Sequence, residues 1–428
     1  METGADKMRI KPGRIFLWIT AFILIINVFG CSPEEEQNES TLPVTVEPGN
    51  DHQPIIEEPE PTVEEMIKVR IGEMSLEDKL GQLLMMGIEG AAATDEELKL
   101  ISQGKIGGVI LFQRNIVDSD QVKTLLKSLN DANSDNVLPL FIGIDEEGGR
   151  VTRLSGIFKN LPSVSVLGDL DDQELSYFYG YTQALKLKTL GINLNFSPVL
   201  DVNSNPSNPV IGDRAISRDP EISARNGNSM IRGMSEAGII PVGKHFPGHG
   251  DTSVDSHSDL PRIEKDIEEL FGFEFIPFIE TINGGLPAIM VGHLLIEAVD
   301  DLPATLSVNT ISELLRGQLG FNGVVFSDDM TMGAITDNHT IDEAVVEFIK
   351  AGGDTALVCH GVEPVQKSIQ RLDLSIQEGS ISEERIDESI LRIMLLKNYY
   401  LENVENKSVP RESEVTTLID ELLIKMGE

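Results

Sequence analysis

The feature that most constrains the fold of this chain is an eightfold alternation of short apolar runs with longer helix-like stretches, which begins near residue 64. Each run is rich in aliphatic or β-branched residues and has the length of a buried strand, and the stretches between the runs repeat apolar residues at helical spacing. Strands that alternate with helices in this way form parallel sheets with helical crossovers. The predicted strands span residues 82–87, 107–112, 140–145, 194–200, 239–246, 288–293, 323–328 and 355–360.

Eight strand–helix units predict a single α/β domain, a (β/α)8 TIM-like barrel, over residues 64–400. The predicted helices span residues 118–133, 174–190, 264–283, 307–319, 340–351, 364–377, 382–400 and 415–426. Residues 401–428 are interpreted as an acidic C-terminal extension and not as a second domain. Barrel enzymes carry their active sites at the carboxyl ends of the strands. The polar residues at those ends are therefore the first functional candidates: Asp145, His245, His293, Asp328 and His360.

The N-terminal segment has the order of a bacterial secretory signal. Basic residues precede an apolar run over 15–29, and Gly30 and Cys31 follow it. The run is shorter than the roughly 20 residues that span a bilayer, and the tetrapeptide 28–31 resembles a lipobox. We therefore predict cleavage of a signal peptide, residues 1–30, acylation of Cys31, and anchoring on the extracytoplasmic face of the bacterial cell membrane. An uncleaved N-terminal anchor helix is the alternative, and it places the rest of the chain on the same side.

Composition limits what the remainder of the chain can do. Residues 31–63 are rich in Pro, Glu, Ser and Thr with few aliphatic residues, which predicts a disordered acidic tether. Removal of the predicted signal changes the formal net charge from −36 to −38, because four basic and two acidic residues leave with it. So acidic a chain is not expected to bind nucleic acid. Cys359 is the other of only two cysteines, so no disulfide is expected, and its apolar surroundings predict a buried, unreactive thiol.

The densest polar cluster, residues 244–261, follows the fifth predicted strand. It contains three of the seven histidines in a loop punctuated by Gly and Pro, a composition suited to substrate binding and proton transfer near neutral pH. A solvated loop with capping Asp and Ser residues is one alternative. A metal site is the stronger rival, because the loop is rich in ligand types: His245, His249, Asp251, Asp255 and His257. The first strand offers no further ligand, so we predict that the protein has no metal and no other cofactor.

A carboxylate ends the seventh predicted strand, where Ser327 precedes Asp328 and Asp329. At the mouth of a barrel such a carboxylate could attack an anomeric carbon or stabilise a developing positive charge. Side chains alternate along a strand, so only one of the two aspartates is expected to face the cavity. The strand pattern alone does not choose between them.

Charged groups also follow the third and fourth predicted strands. Residues 143–154 combine Asp145, a paired-glycine turn and Arg153, a set suited to sugar hydroxyls and acidic substituents. Asp201 and, further along, Arg214 follow the fourth strand. A cavity residue and an internal hydrogen-bond partner are equally good interpretations of Asp201.

Together these motifs resemble glycoside hydrolase family 3, specifically its single-domain β-N-acetylglucosaminidases (β-N-acetylhexosaminidases). The resemblance extends over residues 75–400 and is most specific in residues 244–261, and the Asp-x-Glu-Gly-Gly-Arg run and Ser327-Asp328 add to it. It implies a retaining enzyme that removes terminal β-linked N-acetylglucosamine from muropeptides or other small saccharides through a glycosyl-aspartate intermediate. Single-domain members are often cytoplasmic recycling enzymes, whereas this chain has an export signal, which puts the recycling role in doubt.

The resemblance also implies roles for individual residues. Asp328 corresponds to the nucleophile, and His257, supported by Asp255, corresponds to the acid/base. The implied sugar-binding residues are Asp145, Arg153, Arg214, Lys244 and His245. A small saccharide is the expected partner, no cofactor is implied, and we expect a monomer.

Three other functions stay open: a family 3 β-glucosidase, an N-acetylglucosaminide phosphorylase, and a non-catalytic sugar-binding lipoprotein. Glucosidases of the family generally take their acid/base from an additional domain, which we do not expect here. A binding protein would not need the titrating pair of Asp255 and His257, because binding alone requires no proton transfer. The sequence therefore favours the hydrolase.

Overall fold

The protein is described here by a computed structural model, which covers residues 61–252, 260–402 and 408–427. Its strands are Leu84–Gly87 (β1), Gly108–Leu111 (β2), Phe141–Ile144 (β3), Leu194–Asn195 (β4), Ile240–Phe246 (β5), Arg262–Ile263 (β6), Ala288–Val291 (β7), Leu295–Ile296 (β8), Val324–Asp329 (β9) and Thr355–Val358 (β10). Eight of them are parallel and close into a barrel in the order β1-β10-β9-β7-β5-β4-β3-β2, while β6 and β8 pair outside it. The predicted (β/α)8 TIM-like fold is confirmed.

Helices connect successive barrel strands. The longer ones are Val63–Glu73, Asp95–Gly104, Ser119–Ala132, Gln173–Leu190, Pro220–Ala237, Asn309–Gln318, Ile341–Ala351, Val362–Gln377, Glu383–Lys397 and Glu412–Met426, and shorter ones are Leu76–Gln82, Ser165–Leu170 and Gly333–Thr336. Two of the longest end at Gly191 and Gly238, whose φ angles of 92° and 91° suit glycine best. Within the described ranges, no helix combines the length and the apolar character needed to cross a bilayer.

The helix expected over residues 264–283 is instead two helices, Ile267–Phe271 and Ile276–Asn283. Pro277 lies in the first turn of the second helix. A proline inside a continuous helix would remove a hydrogen bond and clash with the carbonyl group four residues earlier, whereas the first turn tolerates it. The prediction of one helix was wrong for this reason.

The fourth strand is expected over residues 194–200 but includes only Leu194–Asn195. Pro198 has no N–H group to donate to a ladder, so regular pairing cannot continue through it. A single parallel bridge between Val199 and Lys244 then ties the following segment to β5. This segment lies between the strand end and the loop that contains Arg214.

Aromatic rings pack inside the barrel, and one lysine lies at its amino end. Phe141 and Phe196 each pack edge-on against Phe326, with ring centroids 5.8 and 5.7 Å apart. Lys397 is fully buried at the amino ends of the strands, where its Nζ donates to the backbone oxygen of Gly107 at 2.9 Å and lies 4.4 Å from the centroid of Phe141. Packing thus fills the interior and the amino end, which leaves the carboxyl end of the barrel open.

A buried carboxylate ties the amino ends of β9 and β10 together. Asp354, fully buried, accepts the backbone N–H of Val325 at 2.9 Å and pairs with Arg316 at 2.7 Å and with Arg392 at 3.0 Å. Burial raises the pKa of Asp354, but the arginines outweigh it and hold the pKa below its usual value. This anchorage fixes the strand whose other end presents Asp328.

Candidate active site

A cavity of about 290 Å³ opens at the carboxyl ends of the barrel strands. Six residues that the sequence assigns to catalysis or sugar binding border it: Asp145, Arg153, Arg214, Lys244, His245 and Asp328. A larger cavity of about 710 Å³ lies beside Pro287 and Gly323 at the opposite end of the barrel, and none of the six is among the described residues that line it. The structure therefore brings these predicted residues together at a single mouth.

Lys244 is the centre of a buried charge network. Its ammonium nitrogen lies 2.6 Å from Oδ1 of Asp145 and 2.6 Å from Oε1 of Glu147. Glu147 also accepts two hydrogen bonds of 2.8 Å from Nε and Nη2 of Arg214. The side chains of Lys244 and Glu147 are only 2% and 3% exposed, so each would be left as an uncompensated buried charge without the other. The network holds these side chains in fixed positions.

Within this network, neighbouring charges shift the pKa values more than burial does. Burial raises the pKa of Glu147, but Lys244 and Arg214 hold it well below its usual range. Burial lowers the pKa of Lys244, but Asp145 and Glu147 raise it above its usual value. Glu147 is therefore ionised and Lys244 protonated at neutral pH. Reasoning from the sequence missed Glu147, although the doubled acid after Asp145 is a signal that could have found it.

A second buried ion pair anchors the loop after β3. Nζ of Lys186 lies 2.5 Å from Oε1 of Glu146, and neither side chain is appreciably exposed. Glu146 also accepts the backbone N–H of Arg153 at 2.7 Å, which turns the loop back towards the strand end. The turn requires Gly148, whose φ is 95° and on which a Cβ would collide with the hydroxyl of Tyr179.

The anchored loop presents Arg153 to the cavity. Its Nη2 lies 3.8 Å from Oδ2 of Asp145. Its Nε is buried and has no hydrogen-bond acceptor within the part of the chain that the structure describes. The Arg153 side chain is 25% exposed and borders the cavity, so its guanidinium has N–H donors to offer a ligand.

Asp201 is an internal hydrogen-bond partner, which decides between the two interpretations of its sequence position. It is fully buried and accepts the backbone N–H of His249 at 2.6 Å. Its Oδ2 lies 2.7 Å from Nδ1 of His245. Burial raises the pKa of Asp201, but His245 and His249 hold it below its usual value. Because an ionised carboxylate can only accept, Nδ1 of His245 is the donor in this contact.

Both aspartates at the end of β9 border the cavity, but their carboxylates have different surroundings. The pairing of β9 with β10 changes register between Thr355 and Leu357, which disturbs the alternation of side chains there. Asp329 nevertheless uses its carboxylate internally, accepting bonds from the backbone N–H groups of Thr331 at 2.9 Å and Cys359 at 3.1 Å.

Asp328 accepts fewer internal hydrogen bonds than Asp329. Its Oδ1 accepts the backbone N–H of Asp329 at 2.9 Å, and its side chain is only partly buried. Burial raises the pKa of Asp328, but His293 and His245 hold it below its usual value. The group is therefore an anion that faces the cavity.

His293 supports the end of β9 from the neighbouring strand. It is fully buried, with Nδ1 2.8 Å from Oγ1 of Thr305 and Nε2 2.9 Å from the backbone oxygen of Asp329. A carbonyl oxygen can only accept, so Nε2 is the donor in this contact. Of the strand-end candidates, His293 is thus a supporting residue, whereas His360 borders the cavity with an exposed side chain.

Three predicted residues, Cys31, Asp255 and His257, lie outside the described residues. Over the described ranges, no group of three or more His, Cys, Asp or Glu side chains is arranged to hold a metal ion. Asp251, one of the ligand types of the rival metal site, lies 3.2 Å from Nζ of Lys265. His249, considered from the sequence only as a metal ligand, borders the cavity, and burial lowers its pKa.

Cys359 is buried, as its apolar surroundings predict. Burial and the neighbouring Asp329 carboxylate raise the pKa of its thiol well above the usual value. The thiol therefore stays protonated at neutral pH and is a poor nucleophile, although it borders the cavity.

A (β/α)8 barrel whose mouth holds an anionic aspartate, opposite fixed carboxylate, ammonium and guanidinium groups, has the architecture of a glycoside hydrolase. The model of the glycosyl hydrolase family 3 N-terminal domain matches residues 75–396. The chain belongs to glycosyl hydrolase family 3.

Individual relatives agree with this assignment. A beta-hexosaminidase of Alkalilimnicola ehrlichii is 38% identical over 295 residues, which are 68% of this chain and 84% of that protein. A beta-hexosaminidase of Thiobacillus denitrificans is 37% identical over 297 residues, 68% of this chain and 82% of that protein. Among solved structures, a glycoside hydrolase family 3 beta-N-acetylglucosaminidase from Paenibacillus is 40% identical with a TM-score of 0.78, and the match covers 82% of this chain and 69% of that one.

Proposed function

We propose that this protein is a retaining β-N-acetylglucosaminidase that removes terminal β-linked N-acetylglucosamine from peptidoglycan fragments or related amino-sugar glycans. The names of its relatives support the activity. One feature of the site carries the mechanism. Asp328 is an ionised carboxylate at the barrel mouth, across from charged groups that are already paired with one another.

Asp328 is the proposed nucleophile. Its carboxylate attacks the anomeric carbon of the terminal sugar, the bond from that carbon to the leaving oxygen breaks, and a glycosyl-aspartate forms. The transition state is oxocarbenium-like, so the negative charge of Asp328 stabilises it. His293 and His245 lower the pKa of Asp328 and so keep it ionised. Water then attacks the same carbon, releases Asp328 and restores the original configuration.

His257, supported by Asp255, is the proposed acid/base, and this assignment rests on the family resemblance. The imidazole would protonate the leaving oxygen in the first step and take a proton from water in the second. An ionised carboxylate beside it would stabilise the imidazolium form and fix the tautomer. A histidine can serve both steps because its pKa lies near neutral pH.

The paired charges at the mouth are the proposed contacts for the hydroxyl groups of the terminal sugar. Asp145 offers acceptors, Lys244 and the guanidinium of Arg153, whose side chain is 25% exposed, offer donors, and His245 borders the same cavity. Arg214 borders the cavity and contributes by holding Glu147 against Lys244. Such groups need little rearrangement when a sugar binds, which lowers the cost of ordering the site.

The activity is tested by comparing matched aryl glycosides. We expect release of 4-nitrophenol from 4-nitrophenyl β-N-acetylglucosaminide and far slower release from 4-nitrophenyl β-glucoside, because the relatives of the chain are named beta-hexosaminidases. Chelator and inorganic phosphate should leave the rate unchanged.

Each competing function predicts a different result in this assay. Preference for the glucoside would identify a β-glucosidase, and a sugar 1-phosphate product a phosphorylase. Loss of activity on chelation, restored by zinc or manganese, would identify a metal-dependent hydrolase. Binding of N-acetylglucosamine without turnover would identify a binding lipoprotein.

We also propose that the protein is a lipoprotein anchored through Cys31 on the extracytoplasmic face of the membrane. The support is the sequence alone, namely the basic and apolar order of residues 1–30 and the tetrapeptide that ends at Cys31. Cys31→Ser should abolish incorporation of labelled fatty acid in the native host while leaving turnover unchanged, since a flexible tether would separate anchor and barrel. A wild-type protein that takes up no label would refute the anchor.

A further inference from the structure

An aromatic pair at the rim of the cavity takes no part in the mechanism above. The rings of Phe112 and His360 stack with centroids 6.0 Å apart and an interplanar angle of 22°. Phe112 directly follows β2, and His360 comes two residues after β10. Both border the cavity that contains Asp328; Phe112 is half-buried and His360 exposed.

The position of Phe112 is fixed by its neighbours. Its backbone N–H donates at 2.8 Å to Oδ1 of the fully buried Asn115. The guanidinium of Arg114 lies 4.6 Å from the centroid of the Phe112 ring. Arg114 donates in turn to the backbone oxygens of Ile88 at 2.9 Å and Cys359 at 3.1 Å, which ties the segments after β1 and β10 together. Arg114 and His360 both pack on the Phe112 ring, so the exposed His360 is held in place and loses little conformational entropy when a ligand packs on it.

Barrel order places this pair on one side of the nucleophile. Asp328 is the penultimate residue of β9. The neighbouring strand β10 leads to His360, and β1 alone separates β10 from β2, which leads to Phe112. Of the charged groups proposed to hold the terminal sugar, Asp145 follows β3, the direct neighbour of β2, and Lys244 lies on β5, further round the mouth. The leaving group departs from the side of the anomeric carbon opposite to Asp328, so it needs a surface of the mouth other than the end of β9, and the stacked rings after β2 and β10 offer one.

We propose that Phe112 and His360 form a binding subsite for the second sugar ring, the one that leaves when the glycosidic bond is cleaved. This inference rests on the proposed glycosidase function and deepens it, because it assigns a saccharide ring as the leaving group. The carbon-bound hydrogens of a pyranose present an apolar face that packs against aromatic rings, while its hydroxyl groups stay in water. Exposure of His360 at the rim fits a ring that projects out of the cavity.

The test compares two substrates with the same terminal sugar. One is the β-linked disaccharide of N-acetylglucosamine, and the other is β-N-acetylglucosaminyl fluoride, whose leaving group has no ring and needs little protonation. Phe112→Ala and His360→Ala should each lower kcat/KM for the disaccharide about five- to tenfold, the effect of one lost aromatic contact, and leave kcat/KM for the fluoride unchanged. His360→Phe, which keeps a ring, should restore most of the loss.

The matched control is Tyr399→Ala, which removes an aromatic ring that is 73% exposed at the opposite end of the barrel, and it should alter neither substrate. His360 is exposed, so its variant should fold even if Phe112→Ala does not. Equal losses on both substrates would show that the rings contact the terminal sugar, for example its acetamido group, and would overturn the proposal. No loss on the disaccharide would also overturn it. A wild-type enzyme that cleaves glucosyl but not N-acetylglucosaminyl fluoride would refute the proposed function instead.

Discussion

Replacing Asp328 with alanine is expected to lower kcat/KM by at least about 10⁴-fold on every substrate, because the substitution removes the covalent partner of the anomeric carbon. The fold should persist, since the carboxylate is at a strand end and only partly buried. Steady-state rates and a thermal melt measure the two effects. Asp329→Asn should cost far less, because that side chain accepts hydrogen bonds from the backbone N–H groups of Thr331 and Cys359.

A leaving-group comparison separates the nucleophile from the acid/base. His257→Ala should slow cleavage of a natural disaccharide far more than that of a dinitrophenyl glycoside, whose leaving oxygen needs little protonation, whereas Asp328→Ala damages both. Trapping with a fluorinated N-acetylglucosamine analogue should label Asp328. A label on Asp329, or no label, would refute the assignment of the nucleophile.

Glu147→Gln is expected to have the second-largest effect. The amide keeps the shape of the side chain but removes the negative charge that faces Lys244 at 2.6 Å and Arg214 at 2.8 Å. Leaving buried cations short of a counter-charge costs about 3–5 kcal/mol, so the free energy of unfolding should fall by that amount in urea denaturation. We also expect kcat/KM to fall by more than about a hundredfold, because the displaced cations are the proposed sugar contacts.

The matched control is Asp213→Asn, which removes the same kind of charge from an exposed pair. Asp213 and Arg150 lie 2.8 Å apart with side chains that are 52% and 48% exposed. Exposed ion pairs of this type contribute only about 0–1 kcal/mol. If the two variants had equally small effects on stability and turnover, the buried network would not be the element that holds the sugar-binding side chains.

Most of the barrel could be predicted because a parallel strand is buried on both faces, which produces apolar runs that are visible without any knowledge of contacts. Each of the eight predicted runs overlaps a barrel strand. The wrongly predicted element boundaries have local causes that the periodicity of apolar residues does not show. Pro198 shortens β4, and Pro277 divides a helix.

The site was predictable as a set of strand-end residues but not as a network. Lys244 and Asp145 are 99 positions apart in sequence, and Arg214 and Glu147 are 67 apart, so no local pattern records that they touch. Barrel closure brings them together. The same limit applies to Asp201, whose bond to His245 could be established only when β4 and β5 were seen side by side. The roles of Asp255 and His257 stay predictions.

Lys397, enclosed at the amino end of the barrel, makes the stability of the fold depend on pH. Burial lowers the pKa of its ammonium group from 10.5 to about 7. Between these two values the unfolded chain binds a proton at Lys397 that the folded chain releases. The free energy of unfolding therefore rises with pH across that interval, by up to about 1.4 kcal/mol per pH unit. Below about pH 7 both states bind the proton, so Lys397 adds no pH dependence there. A residue far from the catalytic mouth thus couples folding to proton concentration in the medium.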